Sequence, residues 1–394
     1  MPDNQFIEVS YGNVTLAAPA PKPPSKPRRE RFVEWLVFLR SLTINVVVIG
    51  SIIAVLAVTA RDLFRQPVII EEIGLPKALT DRGYSGTVAA HRLWDAIQNI
   101  QDNSGTAKPQ TTLLTSSRQL DVVEPGTGIS LQGLTQMLRA VFGLKQTRIA
   151  GEVICLDPDC SAKSLALRLR VLTGDGMEVV SAGPVGNQTI EAYFNRSALM
   201  LLEEIDPYVV AAYHYDRPDN QEQSIIIARN LVARDHKHAA WAANMIANHE
   251  QESGKFNDAV LWYKRSIKLA EDSKMTGFAL PWYGWGNLLR SNGVLDEAID
   301  KYARAAEVDP HFALSWYNLG VTLGDLGDHQ QAIDKFSRAT DENPNFSSAW
   351  LGWGVSLAKL GRHEEAVEKF RRATQEDSDS ASAWLAWGET PKTL

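Results

Sequence analysis

Trp282, Trp316, Trp350 and Trp384 stand 34 residues apart, and each is followed four residues later by Gly286, Gly320, Gly354 or Gly388. A second set of glycines, Gly293, Gly327 and Gly361, comes next; then Ala298, Ala332 and Ala366, then Tyr302, Phe336 and Phe370, with Pro310 and Pro344 closing two of the units. A small residue lets two helices of a pair approach closely, an aromatic fills the contact with the next pair, and a proline restarts the chain. A fixed period of this length cannot be one globular core. Each helix pair leaves an apolar face that only the next pair can cover, so the units must stack.

The repeated residues resemble those of the tetratricopeptide repeat (TPR). That resemblance implies an α-helical TPR solenoid whose first helices line a concave groove, and whose usual work is binding a protein or peptide. The groove positions lie one and five residues after each marker tryptophan. Here they are Tyr283 and Asn287, Tyr317 and Val321, and Leu351 and Val355, with Asn244 and Asn248 in the unit before. Family members that grip a C-terminal carboxylate use lysine and asparagine at such places. None of these positions holds a lysine, so a different ligand is expected: an extended or helical segment held by aromatic and apolar contact, with Asn248, Asn287 and Arg290 fixing its backbone or an acidic side chain. The competing expectation is that the tyrosines only complete the inner surface of the solenoid.

The solenoid is assigned to residues 206–394. Its units are degenerate to about residue 280 and regular from 279, and a short capping helix is expected at 384–394. In the clearest degenerate unit Ala247, Gly254, Ala259 and Tyr263 take the places of Gly286, Gly293, Ala298 and Tyr302. Its turn glycine precedes Gly293 by 39 residues, which puts a longer linker within 271–280. The formal charge of the chain is −7, and residues 241–394 hold 16 Lys and Arg against 22 Asp and Glu. Phosphate binding needs clustered cations, so nucleic acid is not the expected partner.

Residues 41–60, SLTINVVVIGSIIAVLAVTA, carry no charge and are bracketed by Arg40 and Arg61. Twenty helical residues span about 30 Å, the thickness of a hydrocarbon core. The segment therefore reads as one N-terminal transmembrane helix, the chain's membrane contact. A cleaved signal peptide competes, since Val58, Thr59 and Ala60 suit a cleavage site; the length of the apolar run and the 40-residue leader favour retention. More Lys and Arg precede the span than follow it, which places the N-terminus in the cytoplasm and the bulk of the chain outside it, in a periplasm. Residues 1–40, rich in proline and basic side chains, are expected as a disordered cytoplasmic tail.

Residues 67–205 alternate strand and helix patterns in the order β-α-β-α-β-β-β-α, a small α/β sandwich domain. The chain has two cysteines, Cys155 and Cys160. They lie at the two ends of a hairpin connection, and in an oxidising compartment they should close into a disulfide; zinc is the alternative, with no further cysteine and no nearby histidine to support it. The element order resembles the TolB amino-terminal-like domain found ahead of tetratricopeptide repeats in some bacterial membrane-anchored regulators.

No nucleophile elbow, phosphate loop, zinc signature or dinucleotide fingerprint is found, so no catalytic residues, metal or cofactor are assigned. His236 and His238 are expected on nearly opposite faces of a helix, and the tryptophans in the repeat core. The sequence thus describes a membrane-anchored adaptor or scaffold in the bacterial cell envelope. The alternative is a ligand-sensing or signalling module whose α/β domain binds a small molecule; a third arrangement has the opposite topology, with the repeats in the cytoplasm.

Overall fold

The computed structural model describes residues 6–11, 14–19, 68–106, 113–115, 141, 146–173 and 176–390. The apolar span 41–60 lies outside these, as does, apart from Val141, the segment 130–142, where Ser130, Leu131, Leu134, Leu138 and Val141 predict the second helix of the α/β domain. Among the described residues no helix is long and apolar enough to cross a membrane. Strands β1 (Phe6–Tyr11) and β2 (Val14–Pro19) pair antiparallel within the leader, a ribbon its composition did not announce.

The α/β domain begins with β3 (Val68–Gly74), a one-turn helix α1 (Lys77–Thr80), α2 (Gly86–Asp102) and β4 (Leu113–Thr115). It continues with β5 (Arg148–Cys155), β6 (Leu165–Thr173), β7 (Gly176–Pro184) and α3 (Ile190–Ile205). The sheet order is β4-β3-β5-β6-β7: β3 runs parallel to β4 and β5, and the last three strands form an antiparallel meander. The helical stripe Ala90, Leu93, Ile97 and Ile100 of α2 is buried with Ile70 and Ile73 of β3, as its 3.6-residue spacing demands. Thr189 caps α3 by accepting a hydrogen bond from Ala192 N. Register between β6 and β7 shifts between Ala166 and Arg168. There the Tyr193 hydroxyl accepts from Leu167 N at 2.6 Å and donates to Gly183 O at 2.9 Å, so α3 is tied to both strands at the irregularity.

The hairpin between β5 and β6 is closed by the Cys155–Cys160 disulfide, with Cα atoms 4.9 Å apart. Arg82 donates to the carbonyl oxygens of Asp159 and Cys160, docking the end of α1 on that loop.

Eleven helices follow α3 in antiparallel pairs: α4 (Pro207–Tyr215), α5 (Gln221–Ala233), α6 (Ala239–Glu252), α7 (Phe256–Asp272), α8 (Leu280–Ser291), α9 (Leu295–Val308), α10 (Ala313–Asp325), α11 (His329–Glu342), α12 (Ser347–Lys359), α13 (His363–Glu376) and α14 (Ala381–Glu389). The α4 helix serves two cores. Val209 and Val210 are buried with the sheet domain, whereas Tyr208, Ala211 and Ala212 are buried with α5 and α6. It is apolar nearly all round for that reason, and no free linker separates domain from solenoid. The longer connection between α7 and α8 supplies Phe278, which is buried with its ring 4.6 Å from that of Trp241.

Within each regular unit the turn glycine, such as Gly327 at φ 87°, holds a left-handed conformation after the first helix. The Phe336 ring lies between Gly320 and Gly352; a methyl group added at either would sit 3.0 Å or 2.6 Å from the ring. The tryptophans meet the expectation in part: Trp285, Trp316, Trp353 and Trp387 pack against the repeat cores, but none of those described is fully buried. Trp282 stacks on Trp285, Trp350 on Trp353 and Trp384 on Trp387, with centroids 5.4–6.0 Å apart. Cations cover the first two pairs, closest where Lys369 Nζ lies 3.8 Å from the Trp353 centroid.

Glu250, buried at the end of α6, accepts from Arg229 of α5 at 2.8 Å and from Lys255 at 2.9 Å. The Lys255 hydrogen bond holds its carboxyl below the usual range against the opposing effect of burial. With the folded value depressed, the stability from this site is complete above the unfolded glutamate pKa and fades as pH falls through the lower, folded value. Glu250→Gln should cost on the order of 2 kcal/mol near neutrality and flatten the acid limb of stability measured by urea melts at several pH values. An acid limb unchanged from the parent would contradict this assignment. Ala332, fully buried between α10 and α11, has no counter-ion in its cluster. Ala332→Glu should therefore cost several kcal/mol and abolish cooperative melting of the repeats, read by circular dichroism.

Candidate functional site

First helix α6 touches α8, and α10 touches α12; side chains join α8 to α10, Asn287 to Asn318 and Arg290 to Asp325, so the four make up one face. What that face offers depends on a pair of positions repeated through the units. Where the second helix carries tyrosine, the first carries asparagine opposite it: Tyr302 donates to Asn287 Oδ1 at 2.7 Å, and the Tyr263 hydroxyl is 2.8 Å from Asn248 Oδ1 and from Gln251 Oε1. Where the second helix carries phenylalanine, at Phe336 and Phe370, the first carries Val321 and Val355. A buried hydroxyl needs an acceptor and a buried phenyl ring does not, so the two positions change together. Burial raises the Tyr302 and Tyr263 hydroxyls above the ordinary phenol range, which keeps both protonated as donors.

Asn287 is the centre of a small network. Its Oδ1 also accepts from Asn318 Nδ2 at 3.0 Å, and Asn318 Nδ2 donates to the Tyr283 hydroxyl at 3.1 Å. With the carbonyl oxygen engaged by two donors, Asn287 keeps its amide N–H groups for the surface; among the described residues they have no partner. Beside it Arg290 donates to Asp325 across to α10 at 2.9 Å. Gln251, Asn287, Arg290, Ser291, Leu295, Tyr302 and Asp325 border an open recess of about 470 Å³.

The expected groove residues thus divide. Asn287 and Arg290 meet in the recess, and Tyr283 joins them through Asn318. Asn248 is bound to Tyr263 in the preceding unit, and Asn244 lies further along α6, its Oδ1 buried with no partner among the described residues. Tyr283 and Tyr317 are half-buried: the first packs its ring against Phe312 and Tyr302, the second against Phe346 and Phe336. They build the wall of the face more than they project from it. Val321 and Leu351 are half-buried and Val355 is exposed, so the α10–α12 portion is aliphatic. Asn318, Gln251, Tyr302 and Asp325 escaped the sequence reading. The exchange of Tyr with Asn for Phe with Val was visible in the repeats and could have found Tyr302; no repeated pattern marks Asn318, Gln251 or Asp325.

His236 and His238 correct their expectation. They precede α6 instead of lying on a helix, with rings 5.0 Å apart and the His238 backbone N–H donating to His236 Nδ1. Among the described residues no group of three or more His, Cys, Asp or Glu could hold a metal ion. A second recess, of about 430 Å³, lies between α2 and α3 and is bordered by Arg92, Asp95, Asn99, Glu191, Phe194 and Asn195.

Comparison with known proteins places the helix pairs. A family profile described as Tetratricopeptide repeat matches residues 322–381, and one described as TPR repeat matches 286–327. The chain contains tetratricopeptide repeats. No curated protein matches it. Among solved structures it is similar to MamA, at 22% identity over 42% of this chain and 94% of that one, with a TM-score of 0.36. It is also similar to the first TPR of Spaghetti (RPAP3) bound to the HSP90 peptide SRMEEVD, at 23% identity over 28% of this chain and 89% of that one, TM-score 0.28. The Sgt2 TPR domain from Aspergillus fumigatus is 20% identical over 28% of this chain and 76% of that one, TM-score 0.28.

If the Asn287 network fixes the recess, Tyr302→Phe should cost about 1 kcal/mol by removing one of the two donors to the part-buried Asn287 Oδ1, and Tyr302→Phe with Asn287→Val should recover most of it, as the chain's own Phe and Val units do. Thermal melts of the two variants check this; a double variant no more stable than the single one would refute the pairing.

Proposed function

We propose that this chain is a membrane-anchored, non-enzymatic adaptor that holds a peptide segment of a partner protein on the first-helix face. The observation carrying it is the Asn287 amide, which borders the recess beside Arg290 with its Oδ1 held by Tyr302 and Asn318 and its N–H groups without a partner among the described residues. Donors held ready in this way suit the carbonyl oxygens of an extended or helical segment, and the aliphatic stretch at Val321, Leu351 and Val355 suits its apolar side chains. The uncharged span 41–60 supports an anchor, and the basic residues ahead of it support a cytoplasmic N-terminus. The Cys155–Cys160 disulfide supports an oxidising compartment, and with the span it favours the periplasmic side of a bacterial inner membrane. The strand and helix order of residues 67–205 supports a TolB amino-terminal-like domain. A second reading, small-molecule sensing by that domain, is favoured by the recess between α2 and α3, where charged and amide side chains converge.

In a pull-down with the full chain, the triple variant Tyr283→Ala, Asn287→Ala, Tyr317→Ala should lose its partner while keeping its helical circular dichroism. A folded triple variant that retains every partner moves binding off this face. For topology, a C-terminal reporter active only outside the cytoplasm should be active, and a thiol-reactive mass tag should label Cys155 and Cys160 only after reduction. Labelling of both without reductant would remove the periplasmic assignment.

A further inference from the structure

Every complete regular unit lays the same surface of its second helix on the same surface of its first. The contacting segments read AIDKYARA at 298–305, AIDKFSRA at 332–339 and AVEKFRRA at 366–373. In each, the aromatic enters the notch over the first-helix glycine: a methyl group added at Gly286, Gly320 or Gly354 would meet the ring of Tyr302, Phe336 or Phe370 at 2.7, 3.0 and 2.5 Å. The lysine just before the aromatic reaches over the tryptophans of the first helix, as Lys301, Lys335 and Lys369 do. The arginine two residues after the aromatic adds a second cation over Trp282 and Trp350.

Helix α14 presents the same first-helix surface, and among the described residues nothing is laid on it. Gly388 has no atom within 4 Å of an added methyl group, unlike its three counterparts. Trp384 and Trp387 stack at 5.4 Å, but among the described residues no cation covers either ring; Trp384 is 51% exposed and Leu385 61%. Ala386 and Trp387 are packed on the α12–α13 core, so the surface is held in place from behind.

We propose that the open face of α14 is a docking site for an amphipathic helix of a partner protein bearing the pattern Ala-[Ile/Val]-[Asp/Glu]-Lys-[Phe/Tyr]-x-Arg-Ala. The aromatic fills the Gly388 notch and the lysine and arginine lie over Trp384 and Trp387. Three occupied examples within the chain define the chemistry of the occupant, a stronger constraint than exposure alone. A second copy of this chain is a poor donor. Its three segments of this pattern are each buried in their own unit, and releasing one would unfold that unit.

The probe is a fluorescent, helix-stapled peptide of residues 363–376, titrated into the full-length protein by anisotropy. Saturable binding is expected. It should weaken about tenfold or more when the peptide carries Phe370→Ala, and when the protein carries Gly388→Leu, which fills the notch with a better helix former. Trp384→Ala at an exposed position should weaken it too, which guards against misfolding of the first variant. Asn287→Ala protein should bind as the parent does. No saturation up to about 1 mM, or unchanged binding by Gly388→Leu, overturns the proposal. Loss of binding in Asn287→Ala alone also overturns it, by placing the peptide in the recess. So does a parent that sediments as a dimer and becomes monomeric with Gly388→Leu, because the face would then belong to a second copy.

Discussion

The solenoid depends on one contact: an aromatic ring held where a Cβ cannot be. Phe336 is clasped by Gly320 of its own unit and Gly352 of the next, at separations that a Cβ at Gly352 would violate and one at Gly320 would crowd. Tyr263 meets Gly284 of the following unit in the same way. Because the ring touches both units, it sets the approach of the helices within a pair and the stacking of one pair on the next. Dispersion over a buried ring is collectively large, and glycine in a helix interior costs up to about 1 kcal/mol against alanine. The chain tolerates that helical cost at several positions because the packing around each ring outweighs it.

From that ring the character of the first-helix face follows. Where the ring is phenylalanine, the residue across from it on the first helix is valine and the surface above is aliphatic. Where it is tyrosine, the buried hydroxyl must find an acceptor, and Asn287 and Asn248 provide it. The core therefore decides which way the surface amides point. In the Asn287 unit the carbonyl oxygen is turned inward and the N–H groups outward, which makes the α8 portion of the face a donor and leaves the α10–α12 portion apolar.

Much of this was legible in the sequence because a period of 34 residues repeats the same pattern several times over. The turn glycines, the small residues on the second helices and the aromatics all fall where the spacing puts them. Tryptophan was read in part: several pack against the repeat cores, but the sequence did not show that three pairs each stack within one helix and that cations cover two of them. His236 and His238 were misplaced because a helix boundary moved by a few residues, and spacing along a helix means nothing outside one. The α4 helix read as the start of the solenoid because sequence cannot show that its second apolar face belongs to the sheet domain. The bonds of the Asn287 network were missed for a different reason: they join residues 15 to 35 apart, on different helices, and no single-helix pattern links them.

The electrostatics of the repeats explain why the face relies on amides. The region is net acidic, and several of its cations are drawn to tryptophan: Lys301, Lys335 and Lys369 lie over indole rings, joined by Arg304 and Arg372. Their charge supports the packing of second helices on first helices and is directed away from the recess. Arg290 is on the face, but it is shared with Asp325. A ligand carboxylate would have to compete with that aspartate, whereas a peptide carbonyl can accept from the Asn287 amide without disturbing any pair. Backbone recognition through neutral donors is thus what this arrangement of charge favours, and side-chain selectivity falls to the aliphatic surface beyond it.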